Sequence, residues 1–420
     1  MKVLFVHHGE VIGGAPVSLL NMILELKKNP DISMKVLCVK ETMKDFFQEK
    51  ANIDVGDIHY PCNILGKVII GWGNLFNRQT FLMALMEITR IRSSIKIQCK
   101  QLKKENPDII HLNSSILFTT AIAARRLHIP IVWHVREILQ GGRFNFRRIF
   151  AGWLIKRFAD KVIAISPSEA NSLGKDTYHN IEVVYNFVDF SKFDSSLYDP
   201  LKEKSKLGIK ADERLIIGLG GVSWRKGTLE LIEAMEFTQI NVRLIIAGSD
   251  MPRAYPISIV RELRVFMEDL LVKSGLKKFR RCEYNYRVLN ALNKLKKNKV
   301  VFTGPLDDVR YLIATCDLLT STHTFPHSSR PIFEAWAMKK PVIAFNMPGI
   351  IENIDNGIDG VLVKNTTGEA LGEAINVIIN NSMLLKKMGK DGYKKSYKRF
   401  RSEVKILKVL NIYKELTHHT

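Results

Sequence analysis

Short runs of apolar residues recur along the first half of the chain and are separated by amphipathic stretches. Runs that stay apolar at nearly every position are typical of strands buried on both faces of a sheet. Strands that alternate with helices in this way predict a parallel sheet covered by helices on both sides. The predicted strands are KVLFVHH (2–8), MKVLCVK (34–40), DIIHLN (108–113), PIVWHV (130–135) and DKVIAIS (160–166). The predicted helices include 15–26, 117–127 and 146–158.

A polar stretch over 189–212 interrupts this pattern, which then starts again. The second set of predicted strands is RLIIGLGG (214–221), VRLIIAG (242–248), KVVFTG (299–304), DLLTST (317–322), PVIAFN (341–346) and GVLV (360–363). The predicted helices between them are 228–235, 307–316, 332–338 and 369–380. The tail beyond about residue 383 has helical spacing and is strongly basic.

These elements predict an α/β protein with two doubly wound, Rossmann-like domains that face each other across a cleft. The first domain is predicted at 1–190, a linker at 191–212, and the second domain at 213–382. Helices at 383–420 lie far beyond the last strand and could pack back across the linker onto the first domain. Because ligands bind beyond the carboxyl ends of parallel strands, each sheet offers one rim for a ligand.

The turn after the first strand contains Gly13 and Gly14 at the start of a predicted helix. Glycines allow a ligand to approach the backbone closely, and the free amides of a helix start attract a phosphate. The alternative is an ordinary tight turn. The dinucleotide fingerprint Gly-x-Gly-x-x-Gly is absent, which disfavours NAD.

His134 lies at the end of another predicted strand, at the same rim. It is either a ligand contact or a structural hydrogen-bonding residue, whereas a structural role is favoured for His111.

The second half has two comparable loops. In GGVSWRKG (220–227), Arg225 and Lys226 precede an amphipathic helix, and two cations beside helix-terminal amides suit a diphosphate. A charged surface loop is the alternative. In THTFPHSSRPIFEA (322–335), Glu334 lies near a predicted helix start, where it either complements the helix dipole or holds a ligand hydroxyl.

Composition narrows the class of partner. The chain has 63 basic and 42 acidic residues among 420, a net charge of +21, which favours nucleic acid, anionic membrane or phosphorylated small molecules. Five scattered cysteines without a Cys-x-x-Cys pair disfavour a disulfide framework or a zinc site. With no signal peptide or apolar span in the sequence, a cytoplasmic location is predicted. Asp-x-Asp, Gly-x-Ser-x-Gly and P-loop motifs are all absent.

Taken in order, these segments resemble the retaining glycosyltransferases of the GT-B fold, family four. The likeness extends over nearly the whole chain. It implies that the first domain binds the acceptor and that the second binds the nucleotide-sugar donor. Each segment alone is weakly specific, but their order makes a strong signature. The segments are GGAPVSLL, the strand-end His134, VIAISPSEANSL with VVYNFVDFSKF, the WRKG loop, VVFTGPLDDVRYLIATCDLLTSTH, EAWAMKKPVIAF and GIIENIDNGIDGVLV.

The resemblance implies a role for several of these residues. The amide of Gly14, next to Gly13, would contact the donor diphosphate, and His134 would lie over the donor sugar near the reacting centre. Lys226, helped by Arg225, would neutralise the diphosphate as it leaves.

It also implies that Glu334 accepts hydrogen bonds from the ribose hydroxyls of the nucleotide. The backbone of Ser328, Ser329 and Arg330 would touch the donor sugar or its phosphate. One departure stands out: the family has a glutamate eight residues before Glu334 that holds a sugar hydroxyl, and Pro326 occupies that position here. His327 or Ser328 could substitute for it. Where many members place an arginine near the glycine loop, this chain has Gly220 and Gly221, so Arg225 could carry that charge.

The implied function is a retaining, metal-independent transfer of a sugar from a UDP- or GDP-linked donor, with no further cofactor, to a glycan or lipid-linked acceptor. Synthesis of lipopolysaccharide, capsule or another cell-envelope polysaccharide would be its setting. One alternative, motivated by Pro326, is an inactive GT-B subunit that only binds nucleotide. The other, motivated by the charge, is a nucleic-acid-binding protein, although no RNA- or DNA-binding module is recognisable.

Two basic segments with interleaved apolar residues, 64–108 and 143–161, lie in the first domain. They suit the edge of an anionic membrane, which would place the enzyme at the inner face of the plasma membrane. Equally, their apolar residues could face the core. A third basic segment, 261–299, is an insertion in the second domain to which the sequence assigns no role.

Overall fold

The structure is a computed structural model of the chain. It describes residues 1–9, 12–59, 64, 66, 68, 78–139, 145–174, 180–238, 241–252, 281–295 and 299–417. Most of the basic segment 261–299 and the first part of 64–108 therefore lie outside the described residues. The chain divides into two compact units: unit 1 contains Met1–Asp189 and Phe400–Thr420, and unit 2 contains Phe190–Arg399.

Unit 1 is built on a seven-stranded parallel sheet in the order β3-β2-β1-β4-β5-β6-β7. Its strands are β1 (Lys2–His7), β2 (Ser33–Cys38), β3 (Asp54–Asp57), β4 (Ile109–Leu112), β5 (Ile131–Val135), β6 (Lys161–Ala164) and β7 (Ile181–Val183). Its helices are α1 (Gly14–Leu26), α2 (Glu41–Ala51), α3 (Arg78–Glu105), α4 (Phe118–Arg126), α5 (Phe146–Phe158), α6 (Pro167–Ser172) and, at the end of the chain, α14 (Ser402–Thr417).

Successive residues of the central strands pack into two different cores. Val3 and Phe5 of β1 face α1, α2 and α14, whereas Leu4 and Val6 face α3, α4 and α5. All four side chains are fully buried. Because side chains alternate between the faces of a strand, burial on both faces requires an unbroken apolar run. This is why the five central strands were predictable from the sequence.

The two edge strands of this sheet were not predicted. β3 has the sequence DVGD. Among the described strands, β3 pairs with β2 alone and β7 pairs with β6 alone. An edge strand has one neighbour and an exposed side, so it needs no continuous apolar run. Hydrogen bonding to β2 makes DVGD a strand, with Val55 opposite Val36.

Unit 2 contains a six-stranded parallel sheet in the order β10-β9-β8-β11-β12-β13. The strands are β8 (Arg214–Leu219), β9 (Val242–Ala247), β10 (Val300–Phe302), β11 (Leu318–Ser321), β12 (Val342–Phe345) and β13 (Gly360–Val363), all at predicted positions. The helices are α7 (Pro200–Lys206), α8 (Thr228–Phe237), α9 (Arg281–Lys294), α10 (Arg310–Thr315), α11 (Arg330–Ala337), α12 (Gly368–Ile379) and α13 (Ser382–Phe400).

The stretch 191–212, predicted as a linker, is an integral part of unit 2. It contains a short 3-10 turn and α7, whose Lys204 is buried. The ammonium of Lys204 donates to the carbonyl of Glu213 (2.7 Å) and lies 3.3 Å from a carboxylate oxygen of Asp317, just before β11. These contacts fix α7 against the sheet, so the polar composition of the stretch does not make it a free connection.

The C-terminal helices, predicted together as 383–420, are divided between the units. Apart from its last residue, helix α13 belongs to unit 2, whereas α14 belongs to unit 1. The change occurs at a backbone exchange with Val188, whose amide donates to Phe400 and whose carbonyl accepts from Ser402. Helix α14 then packs against α1 and β4, with Val409, Ile412 and Tyr413 buried in the unit 1 core.

Candidate functional site

The first site-forming loop follows β8 in unit 2. Gly220 and Gly221 have φ angles of 116° and 71°, and a 3-10 turn over Trp224–Lys226 then leads through Gly227 (φ 61°) into α8. Left-handed φ values are accessible to glycine at little cost. The three glycines therefore allow the chain to turn sharply at the carboxyl edge of the sheet, the usual ligand-binding edge.

The loop after the neighbouring strand β11 holds this turn in place. The hydroxyl of Thr322 donates to the carbonyl of Lys226 (2.8 Å), and the hydroxyl of Thr324 donates to that of Trp224 (2.6 Å). The amide of Thr324 also donates to the carbonyl of Arg225. Three hydrogen bonds thus join the WRKG loop to residues 322–324. The two loops therefore form one rigid unit at the carboxyl edge of the sheet.

Lys226 is a partly buried cation within this edge. Its ammonium lies 3.0 Å from Nε2 of His323, whose Nδ1 is 3.1 Å from the hydroxyl of Ser321. Burial, and secondarily the charge of Arg330, lowers the pKa of Lys226 to about 8. Burial lowers the pKa of His323 well below 6.5, so this histidine is neutral and accepts from the ammonium. Among the described residues, no carboxylate pairs with Lys226.

Glu334 lies one turn into α11, which begins at Arg330 rather than at residue 332 as predicted. Its carboxylate is 3% exposed and lies 2.9 Å from Nε of Arg330. Burial raises the pKa of Glu334, and the guanidinium opposes this rise. The first turn of α11 contains no acidic residue, so complementing the helix dipole does not explain Glu334.

Three buried polar atoms at the start of α11 and just before it lack a hydrogen-bond partner within the described part of the chain. They are the hydroxyl of Ser328 and two guanidinium nitrogens of Arg330, Nε and Nη1. Nε is close to Glu334, but its geometry does not make a hydrogen bond. Because buried polar groups in folded proteins nearly always have partners, a cluster without them marks a place where a polar ligand can bind.

A recess at this edge brings together residues from both loops. Lys226, His323 and Ser329 line it, with Ser321 and Gly221. The sequence predicted Lys226 and Ser329 as site residues. It did not single out His323 or Ser321, although Ser321 lies near the end of the predicted strand 317–322 and His323 directly follows it, where ligand-binding residues are expected.

Arg225 points to a different environment from Lys226. Its guanidinium lies 5.3 Å from the ring centroids of both Trp224 and Phe325. Burial lowers its pKa. A guanidinium held between aromatic rings is stabilised by cation–π interaction. Arg225 thus has a structural role in the loop, in addition to any contact with a ligand.

The departure at Pro326 is accompanied by a pair of histidines. The rings of His323 and His327 are stacked, with 4.4 Å between their centroids. Burial, and then the charge of Lys226, lowers the pKa of His327 to about 3. At neutral pH this part of the site therefore presents uncharged imidazoles rather than the carboxylate that the resemblance implies.

In unit 1, Gly13 and Gly14 lie between β1 and α1, at the start of the helix, as predicted. Gly13 is the N-cap of α1, with an extended backbone (φ −149°), and Gly14 is the first residue of the helix. Among the described residues, a Cβ atom on Gly14 would meet no atom within 4 Å. Folding alone therefore does not require glycine at position 14.

His134 lies in a buried network of unit 1. Its Nδ1 is 3.1 Å from Nε2 of His111, and Nδ1 of His111 is 2.7 Å from the hydroxyl of Tyr413 on α14. The guanidinium of Arg136 also approaches Nδ1 of His134, at 3.5 Å. Burial, and then the charge of Arg136, lowers the pKa of His111 to about 3 and that of His134 well below 6.5. His134 Nε2 is buried and has no hydrogen-bond partner within the part of unit 1 that the structure describes.

The surface of unit 1 exposes large apolar side chains among basic ones. On α5, Phe146, Ile149 and Trp153 are 73%, 62% and 54% exposed. Phe150 stacks on Trp153 at 5.9 Å. Helix α3 exposes a further set: Phe81, Leu82, Met83, Leu85, Met86 and Ile88. None of the described helices is long and apolar enough to cross a membrane.

No cluster of three or more His, Cys, Asp or Glu side chains suited to a metal ion occurs among the described residues.

Comparison with known proteins gives matches over both units. The family described as Glycosyltransferase Family 4 matches residues 12–192, and Glycosyl transferases group 1 matches residues 200–395. The N-acetyl-alpha-D-glucosaminyl L-malate synthase of Bacillus anthracis is 24% identical over 323 residues, 74% of this chain and 75% of that protein. The capsular polysaccharide biosynthesis glycosyltransferase CapM of Staphylococcus aureus is 34% identical over 71 residues, 17% of this chain and 19% of CapM.

Among solved structures, Anabaena HepE in complex with UDP and glucose is similar in fold. The TM-score is 0.73 at 22% identity, covering 99% of this chain and 100% of HepE. At this level of identity the likeness shows the fold.

Proposed function

This chain belongs to the family-four glycosyltransferases of the GT-B fold, and on that premise we propose that it transfers a sugar from a nucleotide-sugar donor with retention and without a metal ion. One observation carries the proposal. Lys226 is a partly buried ammonium with no carboxylate partner in the described part of unit 2, and the charge of Arg330 acts on it. Buried groups of Ser328 and Arg330 also lack hydrogen-bond partners among the described residues. A diphosphate supplies the missing negative charge and hydrogen-bond acceptors.

Within unit 2, residues of both loops contact different parts of the nucleotide-sugar donor. Lys226 neutralises the diphosphate, with Arg225 as a secondary cation. The backbone of Ser328, Ser329 and Arg330 contacts the sugar or its phosphate. Glu334 is a buried carboxylate beside the guanidinium of Arg330, and the two ribose hydroxyls of the nucleotide donate hydrogen bonds to it.

The mechanism follows from these groups. As the bond from the sugar to the phosphate breaks, negative charge develops on the departing diphosphate, and fixed cations stabilise it most in a site with little water. The acceptor hydroxyl attacks from the face that the phosphate leaves, and the departing phosphate oxygen takes its proton. The protein contributes position and charge rather than a covalent intermediate.

Unit 1 contributes Gly13, Gly14 and His134 to this proposal. The amide of Gly14 contacts the donor diphosphate, and His134 contacts the donor sugar near the reacting carbon. Open space beside the Gly14 Cα and the unpartnered His134 Nε2 support these assignments.

The exposed aromatic and basic residues of α3 and α5 support an acceptor at a membrane surface. We infer a lipid-linked or glycan acceptor in cell-envelope polysaccharide synthesis, with the enzyme at the inner face of the plasma membrane. Capsule synthesis, the process named for CapM, is one such pathway.

Calorimetric titration with UDP and with GDP, each with and without Mg²⁺, tests the donor site. We expect micromolar, Mg²⁺-independent binding of one nucleotide, weakened at least tenfold in Glu334→Gln by the loss of a charged hydrogen-bond partner. Glu369→Gln is the control, because Glu369 is an exposed residue in the first turn of α12 and belongs to neither site loop. Equal affinity of wild type and Glu334→Gln would contradict the ribose assignment. Nucleotide binding without turnover of any donor would favour the inactive-subunit alternative.

A further inference from the structure

Three buried residues of unit 1 form a continuous chain of ring contacts that ends at His134. Tyr413 comes from α14, His111 from β4 and His134 from β5. Val132 is opposite His111 in the parallel ladder, and His134, two residues further along β5, faces the same side of the sheet as Val132. This side is the one that α14 covers. Each contact between these rings has one donor and one acceptor, and which is which depends on the nitrogen of each imidazole that carries the proton.

Arg136 shows whether Nδ1 of His134, at one end of this row of rings, carries a proton. A guanidinium donates hydrogen bonds and never accepts them. Its Nη1 donates to the side-chain oxygen of Asn186 (2.9 Å) and its Nε donates to that of Asn113, which fixes the group in place. Nη2 then lies 3.5 Å from Nδ1 of His134. A proton on this Nδ1 would set two N–H groups against each other, so Nδ1 of His134 is the acceptor.

Tyr413 decides the same question at the other end. Its hydroxyl is fully buried, and burial raises its pKa well above 10, so it keeps its proton. Within the described residues, Nδ1 of His111 is the one partner of this hydroxyl. A buried hydroxyl proton without an acceptor is costly. Tyr413 therefore donates to Nδ1 of His111, which must be unprotonated.

The contacts of Arg136 and of Tyr413 lead to the same donor in the hydrogen bond between His111 and His134. His111 is neutral and accepts at Nδ1, so its proton is on Nε2, and this N–H donates to Nδ1 of His134 over 3.1 Å. His134 is also neutral, and its proton is consequently on Nε2.

We infer that Tyr413 and His111 are positioning residues that hold His134 in the Nε2–H tautomer, so that His134 offers the sugar substrate a hydrogen-bond donor and not a base. This inference rests on the proposed function, which puts His134 at the donor sugar. The ligand atom that His134 binds is then an acceptor, such as a hydroxyl or phosphate oxygen. His134 does not remove the proton of the attacking hydroxyl, which leaves that proton to the departing phosphate. The last helix of the chain thereby takes part in preparing the site.

Nuclear magnetic resonance on protein labelled with ¹⁵N-histidine tests the tautomer directly, without reference to activity. Long-range ¹H–¹⁵N correlations distinguish Nε2–H from Nδ1–H imidazole, and the His134 signals are assigned by their loss in His134→Gln. We expect the Nε2–H pattern for both His111 and His134 in the wild type at pH 7.5. In Tyr413→Phe we expect a mixture of tautomers at His111. An Nδ1–H pattern at His134 in the wild type would overturn the inference.

Transfer kinetics with the preferred nucleotide sugar test the consequence. His134→Gln retains a side-chain N–H donor and removes the base, so we expect it to keep more than a tenth of the wild-type kcat, whereas His134→Leu loses at least a hundredfold. We expect Tyr413→Phe to lower kcat about tenfold in the wild-type background, the size of one hydrogen bond. In the His134→Gln background the same change has no further effect, because an amide has no tautomers.

Ile412→Val is the control for loosening of α14, since Ile412 is buried beside Tyr413 and outside the chain of rings. If Ile412→Val lowers kcat as much as Tyr413→Phe does, or if Tyr413→Phe acts equally in both backgrounds, the role of Tyr413 is structural and the inference is wrong. If His134→Leu is fully active while the tautomers are as expected, the proposed role of His134 fails and the positioning network remains.

Discussion

A Cβ atom on Gly227 would lie 1.8 Å from the carbonyl oxygen of Thr322. This close approach joins the loop after β8 to the loop after β11, immediately beside Lys226. The position of the cation therefore depends on a residue that has no side chain.

Substitution of Gly227 by alanine should consequently separate a steric effect from a conformational one. Gly208 provides the matched control, because its φ of 66° is similar but a Cβ there would meet no atom within 4 Å. We expect Gly208→Ala to lose about 1 kcal/mol of stability and keep its activity. Gly227→Ala should lose more stability and at least a hundredfold in kcat. Thermal melts and kinetics check both, and full activity of Gly227→Ala would refute the rigid-edge interpretation.

The lowered pKa of Lys226 predicts how nucleotide affinity depends on pH. Lys226 titrates near pH 8 in the free protein, and a bound diphosphate raises its pKa, so binding takes up a proton above pH 8. The affinity for UDP or GDP should be constant near pH 7 and fall up to tenfold per unit above pH 8. Lys226→Arg should bind without this dependence, since an arginine stays charged. Calorimetry from pH 7 to 9.5 gives the answer, and parallel profiles for the two proteins would contradict it.

Substitution of Gly14 by alanine should affect stability and donor binding in opposite directions. Open space beside its Cα means that Gly14→Ala should be neutral or stabilising by up to about 1 kcal/mol, because alanine favours the helix. If the donor diphosphate approaches this amide, the added methyl group should raise KM for the donor at least tenfold. Unchanged kinetics in a protein with an unchanged or raised Tm would remove Gly14 from the donor site.

Buried neutral histidines should make the protein sensitive to acid. The pKa values of His7 and His111 are lowered to about 3, so between pH 6.5 and 3 the unfolded chain binds protons that the folded chain does not. Stability therefore falls with decreasing pH below 6.5, by up to about 1.4 kcal/mol per pH unit for each such group. Tm measured from pH 8 to 4.5 should be level at first and then drop. His7→Gln should reduce the slope, whereas the exposed His59→Gln serves as the control.

The exposed side chains of α5 predict binding to anionic vesicles. Phe146→Ser with Trp153→Ser should weaken binding to phosphatidylglycerol vesicles at least tenfold, because each large side chain contributes about 1.5 kcal/mol or more when it is buried. The control is Val377→Ser, which removes an equally exposed apolar residue (75%) from unit 2. Vesicle flotation at low and high salt measures the effect. Equal flotation of all three proteins would exclude α5 as the membrane surface.

The sequence by itself determined the alternation of strands and helices, because a strand covered on both faces must be apolar at nearly every position. It also predicted the glycine turns, and it predicted Lys226 as a candidate for binding a diphosphate. Sharp turns and diphosphate binding each require particular residue types at strand ends. The edge strand DVGD had no such signature, because hydrogen bonding to one neighbour is all that defines it.

The partners of these residues were decided by the tertiary structure alone. Tyr413 and His111 are 302 positions apart, and nothing local in the sequence of either indicates the other. The same holds for Lys226 and His323, which meet because β8 and β11 are neighbours in the sheet. Local sequence patterns record burial and turn geometry, whereas hydrogen-bond partners and pKa values depend on which distant elements pack together.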